Sequence, residues 1–342
     1  MGSTAAPDRL IPDETARARF AGTLRAVWPE ADDPAAPRLG IAVSGGPDSV
    51  ALLLLAADAL PGRIEAATVD HGLRAESAQE AALVARLCAE LDVPHTTLTV
   101  TLEPGNVQSA ARQARYAALA QWAQARGLVA IATAHHADDQ AETLIMRLNR
   151  ASGVAGLAGV RPRGPIRGTP IGLVRPVLDW RRDDLATVVE RAGVACVQDP
   201  SNGDPRFDRA RLRQAMAAVD WLDVPAIAQS AAYLTEADAA LSWSVELEFN
   251  GRVKRDPFGM TYRPFAPRAI ALRVVARIVT ELDVVPRGSA VARLFDALAA
   301  GQPASIGGLV VRPNAGGWSF ARAPARKAPR RGSDAGEGTA RE

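Results

Sequence analysis

From Leu39 onward the chain alternates short apolar runs with longer amphipathic stretches. LGIAVS (39–44) is a continuous apolar run of strand length, and Val50 to Leu60 carries on as a helix. RIEAATVD (63–70) and HTTLTV (95–100) read as a second and a third strand, and LVAIAT (128–133) as a fourth. Helices fit between and after them, over Glu76 to Leu91, Gln108 to Arg126 and Ala137 to Leu148. Strands of about six residues separated by helices of three turns or more imply βαβ crossovers, hence a doubly wound parallel sheet of Rossmann-like α/β class. Beyond Asn149 the stretch RASGVAGLAGVRPRGPIRGTP has no periodicity and reads as a long loop, with a helix after it from Arg181 to Ala192. Amphipathic runs at 225–248 and 264–283, then a glycine-rich hairpin at SIGGLVVRPNAGGWSFARA, make a smaller, mainly helical C-terminal domain. The expected divisions are a lead-in and linker (1–37), the α/β domain (38–213), the C-terminal domain (214–322) and a disordered basic tail (323–342).

Composition narrows the class without deciding it. A hydrophobic content of 48% with 23% charged residues is that of a globular protein, and no run approaches the ~20 apolar residues of a membrane span. The first twenty residues lack an apolar core of signal-peptide length, so a cytoplasmic location without membrane association is expected. The two cysteines, Cys88 and Cys196, lie too far apart for a CxxC site or a disulfide framework. Positive charge is nearly all arginine, with lysine only at Lys254 and Lys327. Between Arg147 and Arg213 there are 13 Arg against 7 Asp plus Glu, which suits a polyanionic partner or a solvated arginine-rich loop.

The chemistry-bearing residues fall at the expected carboxyl ends of strands, where doubly wound sheets bind ligands. Ser44-Gly45-Gly46-Pro47-Asp48-Ser49 joins the first strand to its helix. Two glycines permit a sharp turn and close approach to phosphate, Pro47 suits a first helical position, and the helix N-terminus offers free amides. No GxxxxGK[ST] or GxGxxG pattern is present, which excludes a Walker loop and argues against a dinucleotide fold. A plain tight turn is the competing reading. Asp70 and His71 end the second strand in position to reach an adenosine or polarise a nucleophile. Arg112, Arg115 and Tyr116 sit on neighbouring turns of one helix, as a binding face or a solvated one. In AHHADDQAET, His135 is followed by Asp138, Asp139 and Glu142 in the first helical turns. These carboxylates complement the helix dipole, or form a pocket for an amine or Mg²⁺; the spacing is wrong for zinc. In DPSNGDPRFDRARLR, Arg209, Arg211 and Arg213 alternate beside Phe207, an arrangement suited to phosphate next to a stacked base or to an exposed basic linker.

Taken together, SGGPDS, DHGLR, the NVQSAARQARY helix, AHHADDQAET, RPVLDW and DPSNGDPRFDRARLR resemble, in order and spacing, the tRNA(Ile)-lysidine synthetases of the PP-loop ATP pyrophosphatase superfamily. The resemblance is strong over roughly 39–213 and weaker beyond, and the chain looks like the shorter form of the family, without the further C-terminal domain of longer members. It implies that 38–213 is an ATP-binding catalytic domain and that 214–322 contacts tRNA.

What the resemblance further implies is a ligase that uses ATP to adenylate the C2 oxygen of the wobble cytidine in a CAU-anticodon tRNA(Ile), with free L-lysine then displacing AMP. Ser44, Gly45, Gly46, Pro47, Asp48, Ser49, Asp70, His71 and His135 would bind ATP, with Asp48 tentatively on Mg²⁺. Asp138, Asp139 and Glu142 would hold the amino groups of lysine. Arg112, Arg115, Phe207, Arg209 and Arg213 would contact the tRNA, and Asp48, Asp138, Arg209 and Arg211 would be catalytic. The general base for the lysine ammonium is left open between these carboxylates and His135, and a homodimer is allowed for. Two other readings remain: a PP-loop tRNA thiolase, which usually needs catalytic cysteines or an iron–sulfur cluster, and a nucleotide-binding regulator without chemistry.

Overall fold

The structure, a computed structural model, describes residues 10–70, 77–101, 107–197, 206, 208–285 and 288–323. The compact units divide between Asp238 and Ala239. This division falls inside a long helix, Val224–Arg252, rather than at 213/214.

The first unit is built on a six-stranded sheet with strands β1 (Leu39–Ala42), β2 (Ile64–Asp70), β3 (His95–Thr99), β4 (Ala130–Ala132), β5 (Arg163–Pro165) and β6 (Gly172–Val174). Their order is β3-β2-β1-β4-β6-β5, all parallel except β5, which runs antiparallel to β6. The four expected strands therefore stand. β5 lies in the stretch read as a loop and β6 just beyond it, where glycine and proline break any period of two.

Helices α1 (Glu14–Val27), α2 (Pro47–Ala59), α3 (Ser77–Glu90), α4 (Val107–Ala125), α5 (Ala137–Leu148), α6 (Val154–Leu157), α7 (Arg182–Ala192) and α8 (Asp208–Ala217) complete the unit, with α9 (Val224–Arg252) running out of it. In α2 every residue from Ser49 to Ala56 is buried, and Leu52 to Leu55 are at most 1% exposed. A helix apolar on all sides must be covered on all sides, and α2 packs against α1, α7 and the strands β1 and β2. Each buried leucine stabilises by roughly 1.5–3 kcal/mol. The N-terminal α1 joins this core: Asp13 caps it by accepting from the Ala16 amide at 3.0 Å, and Phe20, Leu24 and Val27 form its buried face. Between β1 and α4, a Cβ on Gly40 would come within 2.9 Å of the Trp122 ring, so close packing there requires glycine.

The second unit holds β7 (Val253–Asp256), β8 (Gly259–Tyr262), α10 (Arg268–Glu281), α11 (Gly288–Ala299), β9 (Ala304–Ile306), β10 (Leu309–Asn314) and β11 (Gly317–Arg322). Its five strands form an antiparallel sheet, β7-β8-β11-β10-β9. The expected hairpin is β10–β11, paired from Leu309↔Arg322 to Asn314↔Gly317. Its core gathers Tyr262, Val274, Ile278, Leu294 and Phe320, and buried Glu248 accepts from the Tyr262 hydroxyl at 3.0 Å. No described helix is long and apolar enough to cross a membrane.

Candidate active site

β1 and β4 are neighbours, so the segments leaving their carboxyl ends lie side by side. After β1 the chain turns through Ser44-Gly45-Gly46 into α2, with Gly46 as N-cap and Pro47 in the first helical turn. Gly45 has φ +86, and its carbonyl accepts from the Val197 amide at 2.9 Å. A Cβ there would be 2.8 Å from Val197 Cγ2, so both conformation and space demand glycine. Ser49 closes the loop from inside the helix. Its hydroxyl accepts from the Ser44 amide at 3.1 Å, donates to the Gly46 carbonyl at 2.9 Å and lies 3.1 Å from the Ser44 hydroxyl. The first-turn amides of α2 have no intrahelical acceptor and point out of the loop, a ready anion seat.

Asp48 stands at the loop's rim. Its Oδ2 is 3.5 Å from His136 Nε2, and its Oδ1 is buried without a hydrogen-bond partner. Mg²⁺ is commonly held by one or two carboxylates, with phosphate and water completing the shell. The lone Asp48 oxygen fits that pattern, and no group of three or more His, Cys, Asp or Glu side chains able to hold a metal occurs among the described residues.

His136 ends the β4 segment as the N-cap of α5, and only 1% of it is exposed. Its ring lies between three carboxylates, 3.5 Å from Asp48, 3.4 Å from Asp138 and 3.6 Å from Asp139. Burial disfavours a charge on this ring. Hydrogen bonding to Asp138 and Asp48, with the charges of Asp139 and Asp48, outweighs burial and raises its pKa to about 9. His136 is therefore an imidazolium at neutral pH. Its neighbour His135 behaves oppositely. Burial, and then the charges of Arg175, Arg112, Arg209 and Arg115, hold it far below the usual histidine range. Its Nδ1 lies 3.0 Å from the Thr133 hydroxyl.

The carboxylates of α5 are matched to arginines from two other helices. Asp138 faces Arg181 at 3.2 and 3.3 Å and accepts from the Arg182 amide at 2.9 Å. Burial pushes its carboxyl up, but these partners and His136 bring it well below the usual range. Asp139 accepts from Arg209 at 3.1 Å. Glu142 is 1% exposed and receives Arg209 Nε and Arg213 Nε at 2.7 Å each, with Arg182 at 3.4 Å. Burial opposes its charge too, and the two close arginines hold its pKa below the ordinary carboxylate value. Arg209 and Arg213 are one turn apart in α8 and so share a face, while Arg211 turns away to Asp208 at 2.5 Å. On α4, Arg112 stacks over Tyr116 at 5.1 Å, and both Arg112 and Arg115 are exposed. Asp70 ends β2, half-buried.

A PP-loop domain family matches residues 19–219. The tRNA(Ile)-lysidine synthase of Novosphingobium aromaticivorans is 48% identical over 316 residues, covering 91% of this chain and 96% of that protein. The tRNA(Ile)-lysidine synthase of Zymomonas mobilis is 41% identical, covering 86% and 91%. This chain belongs to the tRNA(Ile)-lysidine synthase family. Among solved structures, the U34-tRNA thiolase NcsA of Methanococcus maripaludis superposes with a TM-score of 0.54 at 15% identity, over 66% of this chain and 77% of that one, a likeness of fold.

Of the residues expected at the site, Ser44, Gly45, Gly46, Pro47, Asp48, Ser49, His135, Asp138, Asp139, Glu142, Arg209 and Arg213 cluster beyond the carboxyl ends of β1 and β4. Arg211 faces elsewhere, and His71 and Phe207 lie outside the described residues. Sequence reasoning missed His136, Arg181, Arg182 and Gln140. The doubled histidine and the WRRDD that opens α7 were the available signals. Gln140 is buried and clasps Val160, donating to its carbonyl at 2.8 Å and accepting from its amide at 2.7 Å.

Proposed function

We propose that the protein ligates L-lysine to C2 of the wobble cytidine in a CAU-anticodon tRNA(Ile), using ATP and releasing AMP and pyrophosphate. The observation that carries this reading is near-full-length similarity to curated tRNA(Ile)-lysidine synthases, joined to a lysine-free glycine loop beside a carboxylate–arginine network. The C2 oxygen of cytosine is a poor leaving group. It attacks the α-phosphorus of ATP, the bond to the bridging oxygen breaks, and pyrophosphate departs. The ε-amine of lysine then attacks C2, loses its proton, and AMP leaves with the former C2 oxygen.

The first-turn amides of α2, with Ser44 and Ser49, hold the pyrophosphate portion, and Asp70 and His71 face the adenosine. Asp48 would hold Mg²⁺ through its unpartnered oxygen, and the ion would supply neutralisation of phosphate charge. Asp138, Asp139 and Glu142 attract the lysine ammonium groups. In the free protein these carboxylates are occupied by arginines, so ammonium entry follows an exchange in which Arg209 and Arg213 take up phosphate instead. Arg112, Arg115, Arg211 and Phe207 contact the RNA. His136 is already protonated and so is not the proton acceptor for the lysine ammonium.

The test uses ATP, Mg²⁺, radiolabelled lysine and a CAU-anticodon transcript. Label is expected on that RNA and not on one with uridine at the wobble position; appearance of ADP in place of AMP overturns the reading. A thiolase reading needs cysteine chemistry that two separated cysteines do not offer, and burial raises the Cys88 thiol to about 12.

A further inference from the structure

Arg175, directly after β6, is 8% exposed. Its Nη1 donates to the Arg161 carbonyl, its Nε has no hydrogen-bond partner, and the Tyr116 hydroxyl and the His135 ring lie near it. No ion pair includes it among the described residues. The other site arginines differ: Arg181, Arg182, Arg209 and Arg213 each have a carboxylate oxygen within 3.4 Å. A guanidinium withdrawn from water without a counter-charge is costly, and such a cation in a ligand-binding edge marks an anion seat. Arg112, stacked on Tyr116 and also without a carboxylate among the described residues, adds to the positive field there.

Position limits what the anion is. β6 is two strands from β1, roughly 10 Å at the usual strand spacing, so phosphates seated on the glycine loop do not fill this place. An RNA backbone needs an open face, which Arg112 and Arg115 offer on α4 and the buried Arg175 does not. With Nη1 committed to a carbonyl, the free Nε edge of the fork matches the side-on grip of a small carboxylate. β4, which leads into the carboxylates of α5, adjoins β6. A molecule with a carboxylate at one end and an ammonium at the other carries the charges that complement both.

Resting on the proposed function, we infer that Arg175, supported by Tyr116, binds the α-carboxylate of the free amino-acid substrate and so selects lysine over amines that lack it. Steady-state incorporation is measured with lysine, lysinamide and 1,5-diaminopentane, alongside pyrophosphate release from ATP and tRNA alone. The full-length protein is expected to show a KM about 10- to 100-fold lower for lysine than for lysinamide. Arg175→Gln erases that preference by raising the lysine KM, leaving the lysinamide and ATP KM values and pyrophosphate release unchanged. Arg175→Lys, which keeps the charge without the fork, recovers part of it. Equal use of lysine and lysinamide by the unaltered protein overturns the assignment of Arg175. So does an Arg175→Gln protein that keeps the preference, or that shifts the KM for ATP or tRNA instead. If Arg175→Gln does not fold, the lysine-to-lysinamide ratio of the unaltered protein and its narrowing in Tyr116→Phe decide. Failure of the unaltered protein to attach lysine to the CAU transcript at all sinks the proposed function itself.

Discussion

At the scale of single residues, the two adjacent histidines are opposites, and the physics of their surroundings decides which is which. His136 sits among carboxylates and His135 among arginines. Because the folded pKa of His136 is raised, its stabilising contribution is complete below 6.5 and is lost as pH rises through about 9. His95 and His135 are lowered by burial, so their contributions are present above 6.5 and lost as pH falls through their folded values. The urea midpoint is therefore expected to peak near pH 6.5, with His136→Gln flattening the alkaline limb and His95→Gln the acid one. At the loop's rim, Asp48→Asn is expected to cut pyrophosphate release on the order of 100-fold with little change in stability, as measured by single-turnover release. Glu142→Gln leaves Arg209 and Arg213 facing a neutral partner. These arginines keep partial access to water, so a loss of about 2–3 kcal/mol is expected from urea unfolding.

At the scale of elements, the α8 face carries the argument. Arg209 and Arg213 reach Glu142 from one side, and Arg211 pairs with Asp208 on another. Arg209→Ala should reduce lysine incorporation strongly, while Arg211→Ala lowers tRNA affinity modestly; filter binding and turnover separate the two. Gly45→Ala forces a positive φ on a side chain aimed at Val197, so a weakened ATP affinity is expected by calorimetry, with a stability loss of about 1–2 kcal/mol. Much of this was legible in the sequence. The α5 bounds, the glycine turn and strands β1 to β4 follow from period and turn chemistry alone. β5, β6 and α6 did not, because elements of three or four residues broken by glycine and proline show no period of either kind. His136 is not legible in the sequence because its contact with Asp48, from a distant segment, is not a local property.

At the scale of the molecule, each unit has its own core, around α2 and the parallel sheet in one and around Tyr262 and α10 in the other. Tyr262→Phe removes a donor to buried Glu248, which keeps the amides of Phe265 and Ala266. A cost of about 1–2 kcal/mol is expected in hydrogen exchange of the second unit, with pyrophosphate release unchanged. The sequence by itself determined the alternation of strand and helix, the phosphate-seating turn and the stock of arginines and carboxylates, since these depend on neighbours a few residues apart. Only the tertiary structure decided which charges meet. Ion pairs between α5, α7 and α8, and the lack of one at Arg175 among the described residues, are set by how distant segments converge at the carboxyl ends of the central strands, where low dielectric makes each pairing consequential.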